Sequence, residues 1–220
     1  MIELRNLTKS FQTPRGRKYV ARKLNAVFPT GQAVALMGRN GAGKSTLLQM
    51  ISGSMRHDSG QIITAGTVSF PVGFAGTFHR DLTGAQNCRF IARIYGVDTD
   101  ELLDFVSDFS GLGGHFNMPV RSYSSGMRSR LAFGISMGIH FDTYLVDEVT
   151  SVGDRAFRAK SAEMFKDRLK TRSAVVVTHS LGEVRNLCNA GAILENGTLR
   201  FFDDVEEAIA LHLKNMEKPA

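Results

Sequence analysis

Hydrophobic positions along the chain change period twice. Near Ile2 to Leu4, and again near Leu24 to Phe28, apolar and polar residues alternate, which predicts half-buried strands in an N-terminal β-rich portion. The unbroken run Ala33-Val34-Ala35-Leu36-Met37 reads as a buried strand. Two later runs have the same texture, Tyr144-Leu145-Val146 ending in Asp147 and Ala174 to Val177 ending in Thr178-His179. All three runs finish in Gly-rich or polar residues, as strands of a parallel α/β sheet do where they present a site at their carboxyl ends. From about Thr83 to Phe141 the period becomes helical. Asp98 with Glu101 three residues on predicts a capping box, and Leu102, Phe105, Val106 and Phe109 share one helical face. Helical spacing alone accounts for that aromatic stripe as core. The pattern predicts a single α/β domain over residues 1–220, with a helical subdomain inserted at about 83–141.

Composition narrows this picture only modestly. At 220 residues the chain suits one globular unit, and 43% hydrophobic with 22% charged residues excludes a disordered or fibrous chain. Lys and Arg outnumber Asp and Glu by 27 to 21, a formal +6, leaving polyphosphate ligands, nucleic acid and an anionic membrane surface as partners. The longest uncharged stretch, from Ser59 to Thr77 and on to His79, holds Pro71 and four glycines, so it does not read as a membrane span. The N-terminal MIELRNLTKSF has no apolar core of a signal peptide, which predicts a cytosolic protein able to sit against a membrane. Cys88 and Cys188 stand in no metal or redox spacing and are expected to be buried thiols.

Chemistry enters with Gly38-Arg39-Asn40-Gly41-Ala42-Gly43-Lys44-Ser45-Thr46, a G-x-x-x-x-G-K-S/T loop set between a buried strand and a helical-looking segment. Such a P-loop wraps backbone N–H groups around a β-phosphate, brings Lys44 to the β and γ oxygens, and offers the Ser45 hydroxyl to Mg²⁺. The metal needs a carboxylate partner, and Asp147 at the end of its strand supplies one. Glu148, one residue on, is placed to act as general base toward an attacking water. ATP and Mg²⁺ are therefore the expected cofactors.

Between these motifs lies Tyr123-Ser124-Ser125-Gly126-Met127, followed by a segment from Arg128 that reads as a helix. This segment resembles the signature motif of the ABC-cassette ATPases, with Ser125 and Met127 standing where that family has a Gly and a Gln. Ser151-Val152-Gly153-Asp154 resembles the family's D-loop, and His179 its switch histidine at the γ-phosphate. The resemblance covers essentially the whole chain. It implies a P-loop NTPase fold with an antiparallel β portion, and a pair of copies in which Ser124, Ser125 and Gly126 of one cap the nucleotide on the other. Family members stack adenine on an aromatic after the first strand. Phe11 matches by its spacing from Lys9, with Tyr19 the alternative.

Longer strings, RHDSG at Arg56 to Gly60, VSFPVGFAG at Val68 to Gly76, YSSGMRSRLAFGISM at Tyr123 to Met137 and YLVDEVTSVGD at Tyr144 to Asp154, resemble the ATPase subunit of bacterial capsular polysaccharide exporters. That branch implies a peripheral protein on the cytoplasmic face of the inner membrane. Its partners would be a polytopic permease that handles the polysaccharide, with periplasmic and outer-membrane export components beyond it. Exporters of O-antigen or teichoic acid, a nucleic-acid-associated ABC ATPase and a small P-loop kinase are the competing readings. The nucleic-acid branch requires coiled coils or a second cassette that 220 residues do not hold, so no nucleic-acid partner is expected. One departure stands out: the segment Phe74 to Arg80 lacks the glutamine found there in the wider family, and His79 is the candidate replacement.

Overall fold

A computed structural model describes residues 1–14, 16–73, 78–147 and 154–217. They form two compact units, one made of Met1–Pro71, Phe141–Glu148 and Arg168–Ala220, the other of Val72–His140 and Val149–Asp167.

In the first unit, β1 (Ile2–Thr13) and β2 (Gly16–Phe28) pair antiparallel, with Ile2 opposite Phe28 and Thr13 opposite Gly16. On its other edge β1 pairs antiparallel with β4 (Ser59–Thr64), completing a three-stranded sheet. The alternation seen in the sequence is the inward face of this sheet: Ile2, Leu4, Leu7, Leu24 and Phe28 are all buried. They pack in one core with Leu47 and Leu48 of α1 (Lys44–Ile51) and with Val34 and Leu36 of β3 (Ala33–Met37). Leu47 and Leu48 are fully buried, each stabilising the fold by roughly 1.5–3 kcal/mol.

β3 lies inside a six-stranded sheet of order β5-β6-β7-β3-β8-β9, formed with β5 (Val68–Val72), β6 (Thr143–Asp147), β7 (Ser173–Val177), β8 (Ala190–Glu195) and β9 (Thr198–Phe202). β6, β7, β3 and β8 run parallel, and β9 returns antiparallel on β8. All five residues of β3 and of β7 are buried, which explains their unbroken apolar runs. The short α6 (Leu181–Leu187) follows β7, and α7 (Val205–Glu217) packs on β8 and β3.

The second unit holds α2 (Gly84–Tyr95), α3 (Thr99–Ser110), α4 (Ser125–Gly138) and most of α5 (Arg155–Leu169). Asp98 does cap α3, accepting from the backbone N–H groups of Asp100 and Glu101. The reciprocal capping box sits one helix earlier, where Thr83 accepts from Gln86 N–H and the Gln86 side chain accepts from Thr83 N–H. The aromatic stripe is core as its spacing predicts: Phe109 stacks on Phe105 at 5.6 Å and on Phe133 at 5.8 Å, and meets Phe157 edge-on at 5.5 Å. Cys88 and Cys188 are buried, and burial pushes both thiols up to about 12. Among the described residues no helix is long and apolar enough to cross a membrane.

Candidate functional site

Two separate half-sites carry the predicted residues, one in each unit. The first begins where β3 ends. Gly38 sits at φ 151° with a would-be Cβ overlapping the Leu194 carbonyl, and Gly43 at φ 106° with a would-be Cβ overlapping the Val20 side chain. Only glycine fits both positions, so the backbone can turn tightly and enter α1 directly. The loop closes on itself through Ala42 N–H to the Arg39 carbonyl at 3.0 Å. Lys44 reaches back to donate to the carbonyls of Gly38 at 2.8 Å and Arg39 at 3.2 Å. That anchors the ammonium over the loop, where the N–H groups of the first turn of α1 also emerge, and cation and helix end favour the same anion.

A cavity of about 510 Å³ opens over this loop, within the usual range for ligand pockets. Gly43, Lys44, Ser45 and Thr46 form its floor, Phe11 and His179 stand on its walls, and Lys18 and Val20 of β2 complete it. Phe11 is 39% exposed, with the Lys9 ammonium 5.3 Å from its ring. Tyr19 lies instead in a neighbouring cavity of about 610 Å³, under the Arg22 guanidinium at 4.4 Å. Of the two aromatics, Phe11 is the one that shares a cavity with Lys44.

Strand order supplies the remaining residues. β7 lies between β6 and β3, so Asp147, opposite Val177 in the ladder, and His179, two residues past Val177, stand in one row with the P-loop. Adjacent strands are about 4.8 Å apart, which sets the end of β6 roughly 10 Å from that of β3. Among the described residues no cluster of three His, Cys, Asp or Glu side chains could hold a metal ion. Mg²⁺ keeps several waters and binds through one or two protein oxygens plus substrate phosphates, and the Ser45 hydroxyl and Asp147 carboxylate are oxygen donors of that kind. Glu148, Ser151, Val152 and Gly153 lie outside the described residues, as do residues 74–77.

His212 of α7 was not expected from the sequence. Burial lowers its imidazole pKa below the ordinary value, and the charges of Lys44 and His179 lower it further, against the opposing pull of Glu195.

The second half-site surrounds the start of α4. Ser124 caps that helix, its Oγ accepting from Met127 N–H at 3.2 Å, while Arg128 donates to the Tyr123 carbonyl at 2.8 Å. Ser124 and Gly126 line a cavity of about 570 Å³ together with Arg130, Asp154 and His115. Asp154 accepts from Phe157 N–H at 2.9 Å and pairs with Arg130; these contacts, the backbone bond first, hold its carboxyl below the usual range. Asp154, the last residue of the segment that resembles a D-loop, lines this cavity with its carboxylate already engaged. His79 is exposed, and its Nδ1 accepts from Asp81 N–H at 3.3 Å.

Residues 21–151 match the ABC transporter family. The chain belongs to the ABC transporter ATPases. As an ABC ATPase it binds and hydrolyses ATP. It is 50% identical over 212 residues to the polysialic acid transport ATP-binding protein KpsT of Escherichia coli, covering 95% of each chain. To the capsule polysaccharide export ATP-binding protein CtrD of Neisseria meningitidis it is 39% identical over 208 residues, covering 94% of this chain and 96% of the relative. The ATP-binding cassette MJ0796, solved as a dimer in a post-hydrolysis state bound to ADP and Pi, superposes with a TM-score of 0.77 at 20% identity. That likeness covers 93% of this ABC ATPase and 99% of the cassette, and it shows a shared fold.

Proposed function

We propose that this ABC ATPase energises export of a capsular polysaccharide across the bacterial inner membrane, working as a pair of copies bound to a separate membrane-spanning permease. The observation that carries this reading is the 50% identity, over 95% of both chains, to an ATP-binding protein named for polysialic acid transport. The chain sits peripherally on the cytoplasmic face, the permease handles the polymer, and further components take it through the periplasm and outer membrane.

Each copy holds one ATP. Gly38 to Thr46 cradle the phosphates, Phe11 stacks on adenine at a gain of about 1–3 kcal/mol, and Lys44 neutralises the β and γ oxygens. Ser45 and Asp147 would hold Mg²⁺, which when bound would offset negative charge on the phosphates. Glu148 accepts a proton from the attacking water as the water oxygen bonds to the γ-phosphorus and the bond to the β-phosphate oxygen breaks, releasing ADP. His179 steadies the γ-phosphate. Ser124, Ser125 and Gly126 of the second copy close over the same phosphate, with Asp154 flanking them.

The test is functional replacement in a capsule-forming bacterium that lacks its own ATPase subunit. The wild-type chain should restore surface polysaccharide and co-purify with a multi-span membrane protein, and Lys44→Ala should restore none. A chain that hydrolyses ATP yet restores no surface polymer and brings down no such protein would overturn the assignment.

A further inference from the structure

His115 stands in the signature-side cavity although it lies nine positions before Ser124 in the chain. Its place there is built by the fold. It belongs to a short 3-10 turn, Gly113–Asn117, whose Phe116 is buried. The Tyr123 hydroxyl donates to the His115 carbonyl at 2.5 Å, and Tyr123, itself only 4% exposed, immediately precedes Ser124. One hydrogen bond therefore ties the backbone of the turn to the start of the signature helix. The side chain is a different matter: among the described residues, the His115 imidazole has no hydrogen-bond or ionic partner.

The other charged groups on the cavity wall are already committed. Arg130 pairs with Asp154 and lies 5.1 Å over the Phe157 ring, while Asp154 also accepts from Phe157 N–H. Their charges cancel locally. The Ser124 oxygen already accepts from Met127 N–H. A phosphate chain entering this cavity brings several negative charges and many acceptor oxygens, and finds in His115 an uncommitted donor on a fixed backbone. In either protonation state an imidazole keeps at least one N–H to donate.

We propose that His115 is a nucleotide-binding residue acting across the pair, donating from its imidazole to a phosphate oxygen of the ATP held on the second copy's P-loop. This rests on the two-copy reading of the signature half-site given above. A hydrogen bond to a charged oxygen is strong enough that its loss should weaken ATP-driven pairing by about tenfold or more.

The test uses the full chain carrying Glu148→Gln to slow hydrolysis, with pairing measured by analytical ultracentrifugation at increasing ATP. Adding His115→Ala should raise the dissociation constant of the pair about tenfold or more, leaving melting temperature and ATP affinity of the isolated chain unchanged. His115→Lys, which keeps a donor, should retain much of the pairing. In a second arm, His115→Ala chains are mixed with Lys44→Ala chains. Action across the pair leaves one intact composite site and measurable hydrolysis, whereas action within one chain leaves none. Unchanged pairing in His115→Ala, or no activity in the mixture when Gly126→Asp mixed with Lys44→Ala does give activity, would overturn the proposal alone. Failure of the Glu148→Gln chain to pair with ATP at all would overturn the two-copy reading and His115 with it.

Discussion

The two half-sites use glycine for opposite reasons. At Gly43, left-handed backbone geometry and the neighbouring Val20 side chain exclude any Cβ, so the residue is demanded from inside the chain. At Gly126 the nearest atom to a would-be Cβ is Ser124 Oγ at 3.9 Å, and the backbone is ordinary helix. Nothing among the described residues requires glycine there. The P-loop is thus a complete backbone cradle, whereas the signature end has room for a side chain at Gly126. This contrast is what the reading as paired copies predicts.

The largest effect should come from Glu148→Gln. Loss of the general base is expected to lower ATP turnover by roughly 10²–10⁴ while ATP binding persists, measured by phosphate release against nucleotide titration. Equal loss of binding would mean that Glu148 serves the cradle and not the chemistry.

Gly43→Ala adds backbone strain of about 1–3 kcal/mol and an overlap costing about as much again, so nucleotide affinity should fall by about 10²–10³. Combining it with Val20→Ala relieves the overlap with the Val20 methyl groups but keeps the 3.0 Å approach of the residue-20 Cβ and the strain, and partial recovery in a fluorescent-nucleotide titration is expected. Full recovery would show that crowding alone demands the glycine.

Gly126→Ala sharpens the comparison from the other side. An Ala in a helix is favoured over Gly by about 0.5–1 kcal/mol, so the melting temperature should hold or rise and the isolated chain should bind ATP normally. ATP-dependent pairing and turnover should nevertheless fall about tenfold. A lowered melting temperature would contradict the room for a side chain at Gly126.

The smallest effect concerns His212. Its folded-state pKa lies below 6.5, so in the window between the two values the unfolded chain holds more proton than the folded one. Stability therefore rises with pH through that window, is fully present above 6.5 and is lost as pH falls. His212→Gln should flatten this slope in thermal melts across that range. ATP placed between Lys44 and His179 offsets their charge, so saturating nucleotide should also flatten the slope in the wild-type chain.

Much of the fold could be read directly. The runs at 33–37, 144–147 and 174–177 are strands within a residue of their observed limits, because each is buried on both faces and needs no partner to reveal its period. The N-terminal strands were legible only at their buried ends. β1 and β2 extend to twelve and thirteen residues, and their far ends, Thr8 to Thr13 and Gly16 to Tyr19, are half-buried or exposed and mostly polar, held by pairing with each other. The capping box was expected one helix too late, since Asp98 satisfies two N–H groups with its own carboxylate while Thr83 and Gln86 form the reciprocal pair.

For this protein the sequence by itself determined the local chemistry: a glycine loop with its lysine and hydroxyl, an acidic strand end, a serine helix cap and a strand-end histidine. Each is a property of a few consecutive residues, set by dihedral limits, side-chain period and functional group. Only the tertiary structure decided which of these became neighbours. Placing β7 between β6 and β3 aligned Asp147 and His179 with Lys44, the pairing of β1 with β2 set Phe11 opposite Lys18 in the cavity over the P-loop and left Tyr19 in its neighbour, and the Tyr123 hydroxyl tied the His115 turn to the residue before Ser124. Such pairings depend on hydrogen bonds and packing between different elements of the chain, and no local period carries them.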